Sequence, residues 1–125
     1  MAVEFNHTIV SSSDKEASSR FLAEILGLGE PGSYGPFAVV QLANGTSLDF
    51  ADANGQVRTQ HYAFLVSGDE FDQIRARIVE RGLTFWADPF HRQEGEINTN
   101  DGGRGLYWDD PDGHNLEILT IPYGG

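Results

Sequence analysis

Two stretches of this chain read alike. In the first, residues 5–10 are mostly apolar and partly β-branched, Ser13-Asp-Lys-Glu16 follows, and Ala17, Phe21, Ile25 and Leu28 then recur at helical spacing. In the second, residues 61–66 have the same character, Ser67-Gly-Asp-Glu70 follows, and Phe71, Ile74 and Ile78 recur in the same way. Each stretch predicts a strand, a capping box and an amphipathic helix. Both helices are expected to end on a Gly-Leu pair, Gly27-Leu28 and Gly82-Leu83, because glycine accepts the left-handed conformation that closes a helix. His61 follows His7 by 54 residues and Gly82 follows Gly27 by 55. A second correspondence ends the units, where Ser47-Leu-Asp49-Phe50 parallels Asn115-Leu-Glu117-Ile118 at a separation of 68. The polar, Gly-rich stretch 91–105 supplies the extra length of the second copy. Matching order and spacing favour duplication over chance.

The remaining segments fit two units of the form β-α-β-β-β. Asn44-Gly45, between strands expected at 37–42 and 46–51, is a type I′ hairpin signal. Residues 29–36 are turn-rich, so any strand there is short, and 53–59 form a polar link. In the second copy, 84–87, 104–108 and 115–121 read as strands, with Asp110-Pro-Asp-Gly113 as the turn between the last two. A chain of 125 residues is one domain by size and buries about two thirds of its unfolded surface. The expected fold is therefore α+β over residues 1–125. Two tandem βαβββ modules, about 1–52 and 60–125, would place their mixed sheets face to face as a cup.

Alternate side chains on a strand share a face. His7, Asp49, His61 and Glu117 each lie on the face opposite their bulkiest apolar neighbours, and the repeat relates them in pairs. Facing sheets would bring all four to one centre. Two imidazoles and one or two carboxylates suit one divalent ion, with Fe, Mn, Zn, Ni and Co all compatible. The chain has no cysteine, so such an ion is held by nitrogen and oxygen alone.

Composition narrows the partners. With 19 Asp+Glu against 8 Lys+Arg the net charge is −11, which disfavours nucleic acid and anionic membrane surfaces. No basic segment followed by an apolar run opens the chain, and nowhere do 18 apolar residues run together. A cytoplasmic protein acting on a small molecule is the expectation, with a homodimer as the default assembly.

The duplicated unit, His7, His61 and the ending Asp110-Pro-Asp-Gly-His-Asn-Leu-Glu117 resemble the vicinal oxygen chelate superfamily over essentially the whole chain. That superfamily includes glyoxalase I, fosfomycin-resistance thiol transferases, extradiol dioxygenases, methylmalonyl-CoA epimerase and bleomycin-resistance binding proteins. The resemblance implies a metal-binding cup in which His7, His61 and Glu117 are ligands. Asp49 falls where glyoxalase I-like members carry a fourth carboxylate, usually Glu, so it is either a ligand or acts through water. Tyr107 matches a tyrosine kept beside the metal, which makes it and Glu117 the catalytic candidates.

Other residues carry weaker expectations. Arg104, after the flexible Gly102-Gly103 pair, is a candidate anion clamp, and Phe50 and Trp108 are candidate substrate walls. His114 points away from the metal by alternation and reads as structural or solvated, while His91 lies in the long loop. The implied function is a metal-dependent enzyme that binds neighbouring substrate oxygens. Its chemistry would be glyoxalase-like isomerisation (a lyase reaction) or ring-cleaving dioxygenation. The alternative is a metal-free protein that sequesters an antibiotic, in the manner of bleomycin resistance.

Overall fold

A computed structural model describes residues 2–123. The chain divides into two compact units that meet between Arg58 and Thr59. The first contains β1 (His7–Ser12), α1 (Lys15–Leu26), β2 (Gly32–Tyr34), β3 (Phe37–Gln41) and β4 (Ser47–Asp52). Its sheet runs β1-β4-β3-β2, with β1 parallel to β4 and the other pairs antiparallel. The second contains β5 (His61–Leu65), α2 (Gly68–Glu80), β6 (Gly105–Asp109) and β7 (Asn115–Leu119), with sheet order β5-β7-β6. Again the first strand runs parallel to the last, and the β6–β7 pair is antiparallel.

The duplication extends to register. His7 pairs with Ser47 and Ile9 with Asp49, while His61 pairs with Asn115 and Ala63 with Glu117. Both helices close with the same bond, from Leu28 N–H to Ala23 C=O (2.8 Å) and from Leu83 N–H to Ile78 C=O (3.1 Å). Gly27 and Gly82 sit at φ of +74° and +68°, the left-handed conformation expected of them.

Four details differ from the sequence reading. Residues 84–87 form no strand; Trp86 makes only isolated bridges, to Tyr107 and Glu94, so the second sheet has three strands. At the first helix the cap is Asp14, whose carboxylate accepts from Ala17 N–H at 3.1 Å, rather than a Ser13–Glu16 box. The α1 stripe is also rotated: Leu22, Ile25 and Ser18 are buried while Ala17 and Leu28 are exposed. Nor is the Asn44-Gly45 turn type I′, since Asn44 keeps a negative φ and only Gly45 is positive, at +84°. Gly45 N–H donates to Leu42 C=O (3.2 Å) and Leu42 N–H to Thr46 C=O (2.8 Å), a type I turn with a bulged glycine. The Asp110–Gly113 turn repeats both bonds at the same 68-residue separation, with Gly113 at +88°.

Each helix packs on one face of its own sheet. Val10, Ala38, Val40, Leu48 and Phe50 are buried on that side in the first unit. Leu106, Trp108, Leu116 and Ile118 are buried with Phe71, Ile74 and Ile78 in the second. The opposite faces carry His7, Ile9, Ser47 and Asp49, and His61, Ala63, Asn115, Glu117 and Tyr107.

At α2 the capping box is complete: Ser67 Oγ accepts from Glu70 N–H (3.1 Å) and Glu70 Oε1 from Ser67 N–H (2.8 Å). The backbone and side-chain bonds from Ser67 hold the Glu70 carboxyl below the usual carboxylate range. Ser67→Ala is expected to lower stability by about 1 kcal/mol in urea denaturation at neutral pH. A depressed folded-state pKa means that the Glu70 contribution is present at neutral pH and is lost as pH falls through that range. Because the larger of these bonds comes from the residue 67 backbone N–H, which alanine keeps, most of that acid loss should be common to wild type and variant.

Candidate functional site

Adjacent strands β5 and β7 bring His61 and Glu117 together on the face away from α2. His61 Nδ1 lies 2.9 Å from the backbone carbonyl oxygen of Asn115, its register partner. A carbonyl only accepts, so Nδ1 carries the proton, and in the neutral ring Nε2 is left with a bare lone pair. That lone pair meets Glu117 Oε1 at 3.0 Å. Two acceptors at this distance require a cation between or beside them, either a proton or a metal ion. Two ligand atoms each about 2.1 Å from one ion and at a right angle stand about 3 Å apart. The pair therefore fits a divalent metal by donor type, tautomer and spacing, and the Asn115 carbonyl orients the imidazole as the outer partner of a ligating His does.

Glu117 is 1% exposed, and its other oxygen is engaged as well. Tyr123 Oη donates to Glu117 Oε2 at 2.5 Å, and Tyr107 Oη lies 3.1 Å from Tyr123 Oη. The Tyr107 ring stacks near His61, with centroids 5.8 Å apart and planes 27° from parallel. Burial, the Tyr123 hydrogen bond and the Glu117 charge together push the Tyr107 phenol well above the usual tyrosine range. Tyr107 is therefore a protonated donor at neutral pH rather than a phenolate base.

In the first unit, His7 and Asp49 occupy the register positions of His61 and Glu117. His7 Nδ1 contacts Asn6 Oδ1 at 2.6 Å, and Asp49 Oδ1 accepts from Ser47 Oγ at 2.9 Å. Among the described residues no group of three or more His, Asp or Glu side chains gathers at metal-binding distance. The second unit thus presents a donor pair in contact, while in the first His7 and Asp49 share a sheet face and bond to Asn6 and Ser47 instead.

The three expected substrate contacts lie elsewhere. Arg104 precedes β6 on the α2 side, where its guanidinium donates to Asp72 Oδ1 (2.6 Å) and Gly68 C=O (2.9 Å) over the Phe71 ring. Trp108 and Phe50 are both buried on the helix-facing sides of their sheets, opposite Tyr107 and Asp49. Alternation from Tyr107 and Asp49 already implied this for all three.

His114 is structural: it is fully buried, its Nδ1 accepts from Gln60 N–H at 2.9 Å, and Tyr62 meets it edge-on. His91, at φ +58°, stacks flat on Trp86 with centroids 3.7 Å apart, and its Nε2 reaches Asn115 Oδ1 at 3.1 Å. Sequence reasoning missed Tyr123, six residues beyond Glu117 and past Pro122, where strand alternation no longer applies.

Residues 4–118 match the family model described as the Glyoxalase/Bleomycin resistance protein/Dioxygenase superfamily. The solved structure of Oxidase ChaP-H1 is 68% identical, covers 99% of this chain and 100% of its own, and superposes with a TM-score of 0.98. Glutathione transferase FosA of Serratia marcescens is 29% identical, over 94% of this chain and 81% of its own. Metallothiol transferase FosB of Lysinibacillus sphaericus (strain C3-41) is also 29% identical, over 92% of this chain and 80% of its own.

Proposed function

Because the chain belongs to the Glyoxalase/Bleomycin resistance protein/Dioxygenase superfamily, we propose that it is a cytoplasmic, metal-dependent oxygenase acting on a small molecule with two neighbouring oxygens. The observation that carries the metal reading is the meeting of the His61 Nε2 lone pair with Glu117 Oε1 at 3.0 Å. The proposed ligands are His7, His61 and Glu117, with Asp49 as a fourth donor or a partner to bound water. Likeness to a protein named as an oxidase favours oxygen chemistry. Thiol transfer to an anionic drug is disfavoured by charge, because among the described residues none of the seven strands carries a Lys or Arg. A neutral, oxygen-rich aromatic suits a face whose rings are His61 and Tyr107.

When bound, the ion supplies a Lewis acid for the substrate oxygens and a centre for dioxygen. The chain's own residues orient and protonate. Asn115 C=O holds the His61 ring in one tautomer, and Glu117 is fixed from both of its oxygens. Tyr107, kept protonated beside His61, would donate to a developing substrate oxyanion by turning its O–H away from Tyr123, its acceptor in the resting protein. In ring cleavage both atoms of dioxygen enter the product as the carbon–carbon bond beside the two oxygens breaks. A homodimer that covers the exposed Phe5, Ile9 and Leu65 beside the two histidines completes the reading; sedimentation velocity checks it.

Metal analysis of protein purified without a His-tag tests the proposal. A stoichiometric divalent ion should be present or taken up on reconstitution. It should be lost in His7→Ala and His61→Ala, together with oxygen uptake on an ortho-dihydroxy aromatic probe. Absence of metal after reconstitution, with tight binding of a planar or cationic drug, would favour the sequestering protein instead.

A further inference from the structure

We propose that Tyr123 is a positioning residue for Glu117, carried by a C-terminal strap over residues 120–123 that docks on Gly103 and Arg104. The two oxygens of Glu117 have different partners, His61 Nε2 on Oε1 and Tyr123 Oη on Oε2. A phenol has one proton, and Tyr123 gives its proton to the carboxylate. Tyr107 must then be the donor in the 3.1 Å contact between the hydroxyls. The chain of donation runs one way, from Tyr107 to Tyr123 to Glu117 Oε2. It occupies Oε2 and leaves Oε1 as the oxygen directed at the His61 lone pair. Glu117 is thereby fixed as a one-oxygen ligand before any ion arrives.

The strap is built to hold this position. Arg104 N–H donates to Thr120 Oγ1 (2.9 Å), and Thr120 N–H donates to Arg104 C=O (3.0 Å). A Cβ at Gly103 would stand 2.6 Å from Ile121 Cγ1 and 2.7 Å from Thr120 Oγ1, so only glycine admits the strap at this distance. Tyr123 itself is 61% exposed. Its ring therefore contributes little burial, and its hydroxyl is the part turned inward to the carboxylate.

The inference rests on the metal reading above, and its test separates the two. Co(II) alone is titrated into wild type, Tyr123→Phe and Gly103→Ala, with the Kd and the visible Co(II) spectrum as readouts. Groups that orient a ligand typically affect metal affinity by about 10–100-fold. Tyr123→Phe is expected to weaken Co(II) binding about tenfold or more and to alter the spectrum, while the metal-free protein stays folded with a lower melting temperature, since the buried Oε2 loses its donor. Gly103→Ala should shift affinity in the same direction with Tyr123 intact, because it pushes the strap away. A Kd within about twofold of wild type and an unchanged spectrum in Tyr123→Phe would overturn the proposal. Should wild type bind no Co(II), the metal reading fails, and the side-chain carboxyl carbon resonance of Glu117 in the metal-free protein still decides. That resonance moves in Tyr123→Phe if the hydroxyl bonds Glu117, and stays where it is if Tyr123 is a bystander.

Discussion

Glu117→Gln is expected to lower divalent-metal affinity by about 100-fold or more, the upper end of effects at such sites, while leaving the metal-free protein as stable as wild type or slightly more so. The two effects have one cause. In the wild type a buried carboxylate oxygen faces an imidazole lone pair at 3.0 Å, an arrangement that calls for a cation. The Gln side chain has the same shape and puts an N–H donor where that oxygen was. The amide N–H can donate to His61 Nε2, and the amide oxygen can accept from Tyr123 Oη, so every polar atom keeps a partner. Replacing a buried charge by a satisfied neutral group of equal volume is neutral or stabilising, by about 0–1 kcal/mol for one hydrogen bond. Isothermal titration with Co(II) and urea denaturation of the metal-free protein read the two quantities separately. Reduced affinity accompanied by an equal loss of stability would mean that Glu117 serves the fold, and the metal reading would then lose its central ligand. Glu117→Ala is the poorer test, since it leaves a cavity and strips His61 and Tyr123 of their partner.

The repeat was legible because it is written in strand register. Asp49 and Glu117 each stand four residues past a turn glycine, Gly45 and Gly113, and each pairs two residues along from its histidine in the parallel register of its unit. The two Gly-Leu helix exits were legible for the same reason, since each needs glycine at one backbone position, and so was the place of the two turns, though Asn44-Gly45 reads as type I′ in sequence and forms a type I turn with a bulged glycine. Misreadings came where local pattern competed with another part of the fold. Residues 84–87 look like a strand, yet Trp86 alone pairs with Tyr107, and Asn98 takes the next position along β6 at Gly105. Asp14 outcompeted Ser13 because its carboxylate reaches Ala17 N–H three residues on. Tyr123 had no pattern to reveal it, since its role arises from Thr120 and Arg104 placing the tail.

Arg104, Phe50 and Trp108 illustrate a different failure, in which residue type was allowed to outweigh strand parity. An arginine after two glycines suggests reach, and aromatics in a site-bearing strand suggest walls. All three are an odd number of residues from Tyr107 or Asp49, however, and so lie on the helix side. Among the described strand residues, the faces that carry these donors consequently hold no lysine or arginine. What they offer is imidazole, carboxylate and phenol, which is the chemistry of a metal and a neutral oxygen ligand rather than of an anion clamp.

Trp108 provides the sharpest separation of core from site. It is fully buried, paired in register with Leu116, and on the opposite face from Tyr107. Trp108→Ala should therefore lower stability by about 3–5 kcal/mol, the range for removing a large aromatic from a packed core. Among the described residues its indole N–H is the buried side-chain polar atom without a hydrogen-bond partner. Trp108→Phe deletes that unsatisfied donor along with part of the ring. An unpartnered buried donor costs about 1–3 kcal/mol, which offsets much of the packing lost with the smaller ring. Trp108→Phe should accordingly be much milder than Trp108→Ala in urea denaturation. Co(II) affinity and the KM for the ortho-dihydroxy probe should match wild type in Trp108→Phe. A substrate wall would give the opposite pattern, a raised KM with stability little changed, and would return Trp108 to the site.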